Sequence, residues 1–107
     1  MTKINFKRVG GVLGREVDSD IDLNEVPNDE SQELMRLITE SNFFKIPQNL
    51  IAQAIPDEYE YIVTVEAGNT HHTIHTSDSS APESLRPLLE KLSRLARGDP
   101  SNPTAEV

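Results

Sequence analysis

The chain has 107 residues, with 10 Lys or Arg against 18 Asp or Glu and a formal net charge of −8. This length fits one domain and buries a core without staples, and with no cysteine both disulfides and thiolate metal sites are excluded. The negative charge repels phosphate backbones and anionic lipid, so neither nucleic acid nor a membrane surface is an expected partner.

The opening stretch MTKINFKRVGG holds no apolar run of signal-peptide length. Nothing in the chain approaches the roughly 18 apolar residues of a membrane span. A cytoplasmic location is therefore the expectation. Residues 3 to 9 alternate, with Ile4 and Phe6 on one side and Lys3, Asn5 and Lys7 on the other, which predicts a half-buried strand. Gly10-Gly11 reads as a hairpin turn, because both glycines accept positive φ. The next strand runs in the odd register, with Leu13, Val17, Ile21 and Leu23 inward and Glu16, Asp18, Asp20 and Asp22 outward. Gly14 marks a candidate bulge.

Val26-Pro27 ends this strand, and residues 28 to 41 change period. Leu34, Leu37 and Ile38 fall on one helical face. Asp29, Glu30 and Glu33 sit near the first turn, where the helix dipole favours negative charge. Pro27 suits an early helical position, which leaves the cap open between Asn28 and the residues before it. At Phe43-Phe44, at least one ring is expected in the core. Residues 47 to 57 form a long loop carrying Leu50, Ile51 and Ile55, with room for a short helical turn.

Residues 58 to 66 alternate, with Tyr59, Tyr61, Val63 and Val65 inward. Gly68-Asn69 turns the chain, and residues 70 to 76 return with His72, Ile74 and Thr76 on one face and His71, Thr73 and His75 on the other. Ser80-Ala81-Pro82-Glu83 reads as a capping box. Leu85, Leu88, Leu89, Leu92, Leu95 and Ala96 make an apolar stripe. Pro87 implies a kink, or a main helix that starts near it after a lead-in turn. Gly98 is the expected C-terminal cap. The order ββαββα predicts an α+β domain over residues 1–98: a four-stranded antiparallel sheet with two helices packed on one face. The tail from 99 to 107 is read as disordered.

Three clusters invite a chemical reading. His71 and His75 share a strand face but lie about 13 Å apart at ~3.3 Å per residue, too far to share one metal. His-His-Thr-Ile-His also lacks the Glu of the zinc-peptidase helix motif. Asp18-Ser19-Asp20-Ile21-Asp22 opens like a calcium loop, but Leu23 stands where Gly is required and Asp29 where a bidentate Glu is required. Alternate aspartates on a charged strand that resists wrong pairing account for it instead. Whether the acidic run from 16 to 33 meets a cation or a basic partner stays open. No serine lies in a Gly-x-Ser-x-Gly elbow, and Gly10-Gly11-x-x-Gly14 has no helix N-terminus beside it to cradle phosphate. No catalytic residue, metal or cofactor is assigned, and an enzyme is not expected. Binding surfaces remain: Gly10, Gly11, Val12 and Leu13 at the first hairpin, and Leu50 and Ile51 in the long loop.

The segments Phe6-Lys7-Arg8-Val9-Gly10-Gly11 with Gly14, Phe43-Phe44-Lys45-Ile46-Pro47, and Tyr59 through Glu66 occur in a characteristic order. His72-Thr73-Ile74 with Ser77-Asp78, Pro82 through Leu89, and Leu95-Ala96-Arg97 complete it. In this order and spacing the chain resembles the emfourin-like inhibitors of thermolysin-type (M4) metallopeptidases. The resemblance implies a cytoplasmic bacterial inhibitor that blocks a protealysin-like peptidase and guards its host cell. Such enzymes favour an apolar residue just after the cut, so Val12-Leu13 or Leu50-Ile51 would be offered to that subsite. The chain departs from the family in its acidity between residues 16 and 25. A monomer is expected. The alternative is a non-catalytic interaction module with another partner.

Overall fold

The structure, a computed structural model, describes residues 2–10, 16–51 and 58–96. Period-two alternation produces four strands: β1 (Thr2–Gly10), β2 (Val17–Asp22), β3 (Tyr59–Ala67) and β4 (Thr70–Ser77). They form one antiparallel sheet in the order β2-β1-β3-β4, so β1 and β3 are central. Helices α1 (Asn28–Glu40) and α2 (Arg86–Ala96) complete the predicted ββαββα order.

Register places Ile4 opposite Ile21 and Val65, and Phe6 opposite Val63. These side chains share one face, where Leu34, Leu37 and Ile38 of α1 and Leu88, Leu89 and Leu92 of α2 join them in a single core. Removing each such side chain from water contributes about 1.5–3 kcal/mol. The other face stays open and polar. There Asn5 donates its side-chain amide to Asp18 at 3.2 Å and to Asp20 at 2.7 Å, so the aspartates of the edge strand are held by a cross-strand neighbour. Glu60 pairs with His75 at 3.0 Å on the same face.

Helix α1 follows Pro27, whose carbonyl accepts from the Ser31 N–H at 2.9 Å; no side chain caps the helix. At its far end Asn42 takes the left-handed conformation (φ 56°), a role Asn fills at modest cost. The chain then makes a short 3₁₀ turn at Phe43–Lys45. Phe43 is buried and Phe44 is exposed, so one ring of the pair is core. Lys91 of α2 joins the helices through ion pairs with Glu30 and, at 3.0 Å, Glu33. The hydrogen bond to Glu30 raises the Lys91 pKa, and the hydrogen bond from Lys91 lowers that of Glu33.

Three expectations need correction: the turn at Gly10-Gly11, the capping box at Ser80 and the inward Tyr59. A two-residue turn at Gly10-Gly11 would pair Val9 with Val12, whereas Arg8 pairs with Val17, so the connection is longer. Beyond Arg8, β1 continues to Gly10 in pairing with β3 among the described residues. Ser80 forms no capping box: its hydroxyl accepts the Ser77 N–H at 2.9 Å and bonds the Thr76 and Ser77 hydroxyls, closing the turn after β4. Helix α2 starts at Arg86, with Pro87 in its first turn, as the lead-in alternative required. Tyr59 is 36% exposed although it shares a face with the buried Val63 and Val65. The expectations for Gly11, Val12, Leu13, Gly14, Ile55, Gly98 and the tail lie outside the described residues.

Candidate functional site

One end of the sheet collects the C-termini of β1 and β4 and the N-termini of β2 and β3. Gly10 pairs with Tyr59 there, at φ 94°, and a Cβ on it would lie 2.8 Å from the Glu58 carbonyl oxygen. Glycine is required by both the angle and the close approach. The chain leaving β1 and the chain entering β3 therefore meet at this point.

The second sequence-derived segment heads to the same end from the other side. The Gln48 carbonyl accepts the His75 N–H at 2.7 Å, and the Leu50 N–H donates to the His75 carbonyl at 2.9 Å. Asn49 thus bridges β4 in parallel, which directs Leu50 and Ile51 toward the end where β3 begins. Leu50 packs against the core, and the Ile51 N–H is held by the Asn49 side chain at 3.0 Å. The Asn49 segment pairs on the outer edge of β4, three interstrand spacings from β1, about 14 Å. Gly10, Leu50 and Ile51 are thereby gathered at one end of the sheet, while Gly11, Val12 and Leu13 lie outside the described residues.

This end is densely cross-linked. Asp78 accepts the Tyr59 N–H at 3.1 Å and the Tyr61 hydroxyl at 2.7 Å on its two carboxylate oxygens. Its own carbonyl accepts from Arg86 at 2.9 Å. Glu58 accepts both the N–H and the hydroxyl of Ser79. Burial, reinforced by the Asp78 hydrogen bond, raises the Tyr61 pKa above its usual 10.0, so the phenol remains a neutral donor. Arg8 lies over the Tyr59 ring, 4.5 Å from its centroid. Sequence reasoning missed Arg8, Asp78 and Arg86 as site residues. The available signal was Arg8 falling in the register of Ile4 and Phe6, where an apolar residue belongs.

The histidines stay apart. His72 bonds the Ile46 carbonyl at 2.6 Å and meets the Phe43 ring edge-on, while His75 faces Glu60 on the open side. Among the described residues, no group of three His, Asp or Glu is placed to hold a metal ion.

Residues 6–93 match the family described as Emfourin. The chain belongs to the Emfourin family. Emfourin is a family of protease inhibitors. The match takes in β2, β3, β4 and α1 whole, β1 from Phe6 onward and α2 as far as Ser93, including the Gly10–Tyr59 end of the sheet. No curated protein and no solved structure matches the chain. No helix of the described residues is long and apolar enough to cross a membrane.

Proposed function

We propose that this Emfourin member inhibits a thermolysin/protealysin-like M4 metallopeptidase by blocking its active-site cleft with the Gly10 end of the sheet. The match of residues 6–93 to an inhibitor family carries the reading. The M4 target follows from the ordered segments that give the chain its emfourin-like character. The contact surface proposed is Gly10 with Gly11, Val12 and Leu13, joined by Leu50 and Ile51. The inhibitor works as a cytoplasmic monomer.

Inhibition of this kind needs a preformed surface more than chemistry. Ordering a loop on binding consumes affinity, at about 0.5–1.5 kcal/mol for each immobilised side chain. The Asp78, Glu58 and Ser79 bonds fix the base from which the segments after Gly10 and before Glu58 depart. The partner therefore meets anchors that are already in place. An apolar residue from Val12-Leu13 or Leu50-Ile51 would occupy the subsite that accepts the residue after the cut.

Titration into thermolysin-like and protealysin-like enzymes tests the proposal. A stoichiometric loss of peptidase activity is expected at micromolar or lower inhibitor. Undiminished activity across such a panel would remove the M4 assignment. A Leu13→Asp change is expected to weaken inhibition while leaving the circular dichroism spectrum intact.

A further inference from the structure

The segment that carries Leu50 and Ile51 lies along the outer edge of β4, outside any named strand or helix. One rung holds it there: the His75 N–H donates to the Gln48 carbonyl at 2.7 Å, and the Leu50 N–H donates to the His75 carbonyl at 2.9 Å. A second rung would join Ile46 and Gln48 to Thr73, two residues back on each chain. Among the described residues no such backbone bond forms. A segment paired by one rung is weakly specified in register, and a slip of one residue would turn Leu50 off the core it packs against.

His72 supplies the missing hold. Its Nε2 lies 2.6 Å from the Ile46 carbonyl oxygen, the acceptor that the absent rung would have used. Ile46 precedes Asn49 by three residues and His72 precedes His75 by three, so this bond and the rung specify the same register. The imidazole is itself fixed by aromatic neighbours. Phe43 meets it edge-on at 5.8 Å between centroids, and Phe44 lies at 6.3 Å. Phe43 is buried, so the contact ties the ring to the core. A carbonyl oxygen only accepts, so Nε2 must carry a proton, and in the neutral imidazole Nδ1 is then bare.

We propose that His72 is a positioning residue of the inhibitor: in its Nε2–H form it locks the register of this segment on β4 and so holds Leu50 and Ile51 in place for the peptidase. This rests on the inhibitor reading and on the place of Leu50 and Ile51 in its contact surface. A contact segment correctly placed in only a fraction of molecules lowers the affinity by that fraction. The loss falls on association, because the complex once formed contains the segment in its placed state.

The variants His72→Phe and His72→Gln test this. Phe keeps an aromatic ring beside Phe43 and Phe44 but has no donor, whereas Gln keeps an N–H donor. In free His72→Phe, the amide protons of Leu50 and His75 are expected to exchange at least about tenfold faster, with those of Val63 and Val65 unchanged. The association rate with the peptidase should fall by about the same factor, while the dissociation rate stays within about twofold of the parent. His72→Gln should recover part of both losses. Exchange at Leu50 and His75 within about twofold of the parent in His72→Phe would overturn the lock. An unchanged association rate in a variant whose exchange has risen would overturn its role in inhibition. Should both variants fail to fold, nitrogen-resolved spectra of the His72 ring in the unaltered protein, recorded in alkaline buffer, decide the matter. A proton on Nε2 is expected, and a proton on Nδ1 with Nε2 bare would overturn the proposal. Faster exchange in His72→Phe, with no M4 enzyme inhibited by the parent, would leave the register lock standing and remove only the proposed target.

Discussion

The central strands β1 and β3 pass through two different environments on the same face of the sheet. Ile4, Phe6, Val63 and Val65 lie beneath the helices, almost without exposure. A few residues on, Arg8 and Tyr59 continue the same alternation where helical cover has run out, and Tyr59 is more than a third exposed. The first half of this face is built for stability. The second half is cross-linked by polar bonds, keeps its shape without a full apolar cover, and presents charge and aromatic surface outward. A strand's period tells which side a residue points to, and only the tertiary packing tells whether anything lies over it.

Substitutions in the two halves should therefore separate stability from inhibition. Phe6→Ala, at 0% exposure, is expected to cost about 3–5 kcal/mol of unfolding free energy in urea titration. Leu88→Ala in α2, also at 0% exposure, falls in the next range, about 2–5 kcal/mol. If either leaves the denaturation midpoint unchanged, the covered half is not the core described above. Gly10→Ala should cost about 1–3 kcal/mol, from the positive φ and the approach of the Glu58 carbonyl. It should weaken inhibition more than that loss explains, because it displaces the junction of two contact segments. Tyr59→Ala should change stability by only about 0.5–1 kcal/mol, the scale of an exposed cation–π contact, yet reduce inhibition clearly.

The smallest effect concerns the helix-to-helix ion pair. Glu33 is lowered from 4.5, so its contribution is present above that value and fades as pH falls through the folded-state value. Lys91 is raised from 10.5, so its contribution is full below that value and fades as pH rises through the folded-state value. Melting temperatures of the parent and of Lys91→Met should differ most in the window between these limits and converge outside it. Because the carboxylates are partly exposed, added salt should shrink the difference.

Much of the fold was legible because local signals agreed with one another. The alternation of Tyr61, Val63 and Val65, the turn at Gly68-Asn69, and the stripe of Leu88, Leu89 and Leu92 each point to one arrangement. Ser80 misled because a capping-box pattern costs a sequence little to match, while the turn after β4 competes for the same hydroxyl. The hairpin misled because Gly10 answers to a neighbour distant in sequence, the Glu58 carbonyl, and not to a tight turn. The candidate site was legible only in part. Gly10, Leu50 and Ile51 stood out by composition and loop length. The Asp78 network, and the stacking of Arg8 on Tyr59, arise from residues about 20 and 50 positions apart, which no local pattern connects.

The most direct test of the division between a stabilising half and a contact half is amide hydrogen exchange, measured on the inhibitor alone and saturated with an M4 peptidase. New protection is expected at Arg8 to Gly10, Leu50 and Ile51, and Tyr59, with α1 and the open polar face unchanged. Protection confined to α1 or to the Asp18–Asp22 edge, with none at the Gly10 end, would contradict the account.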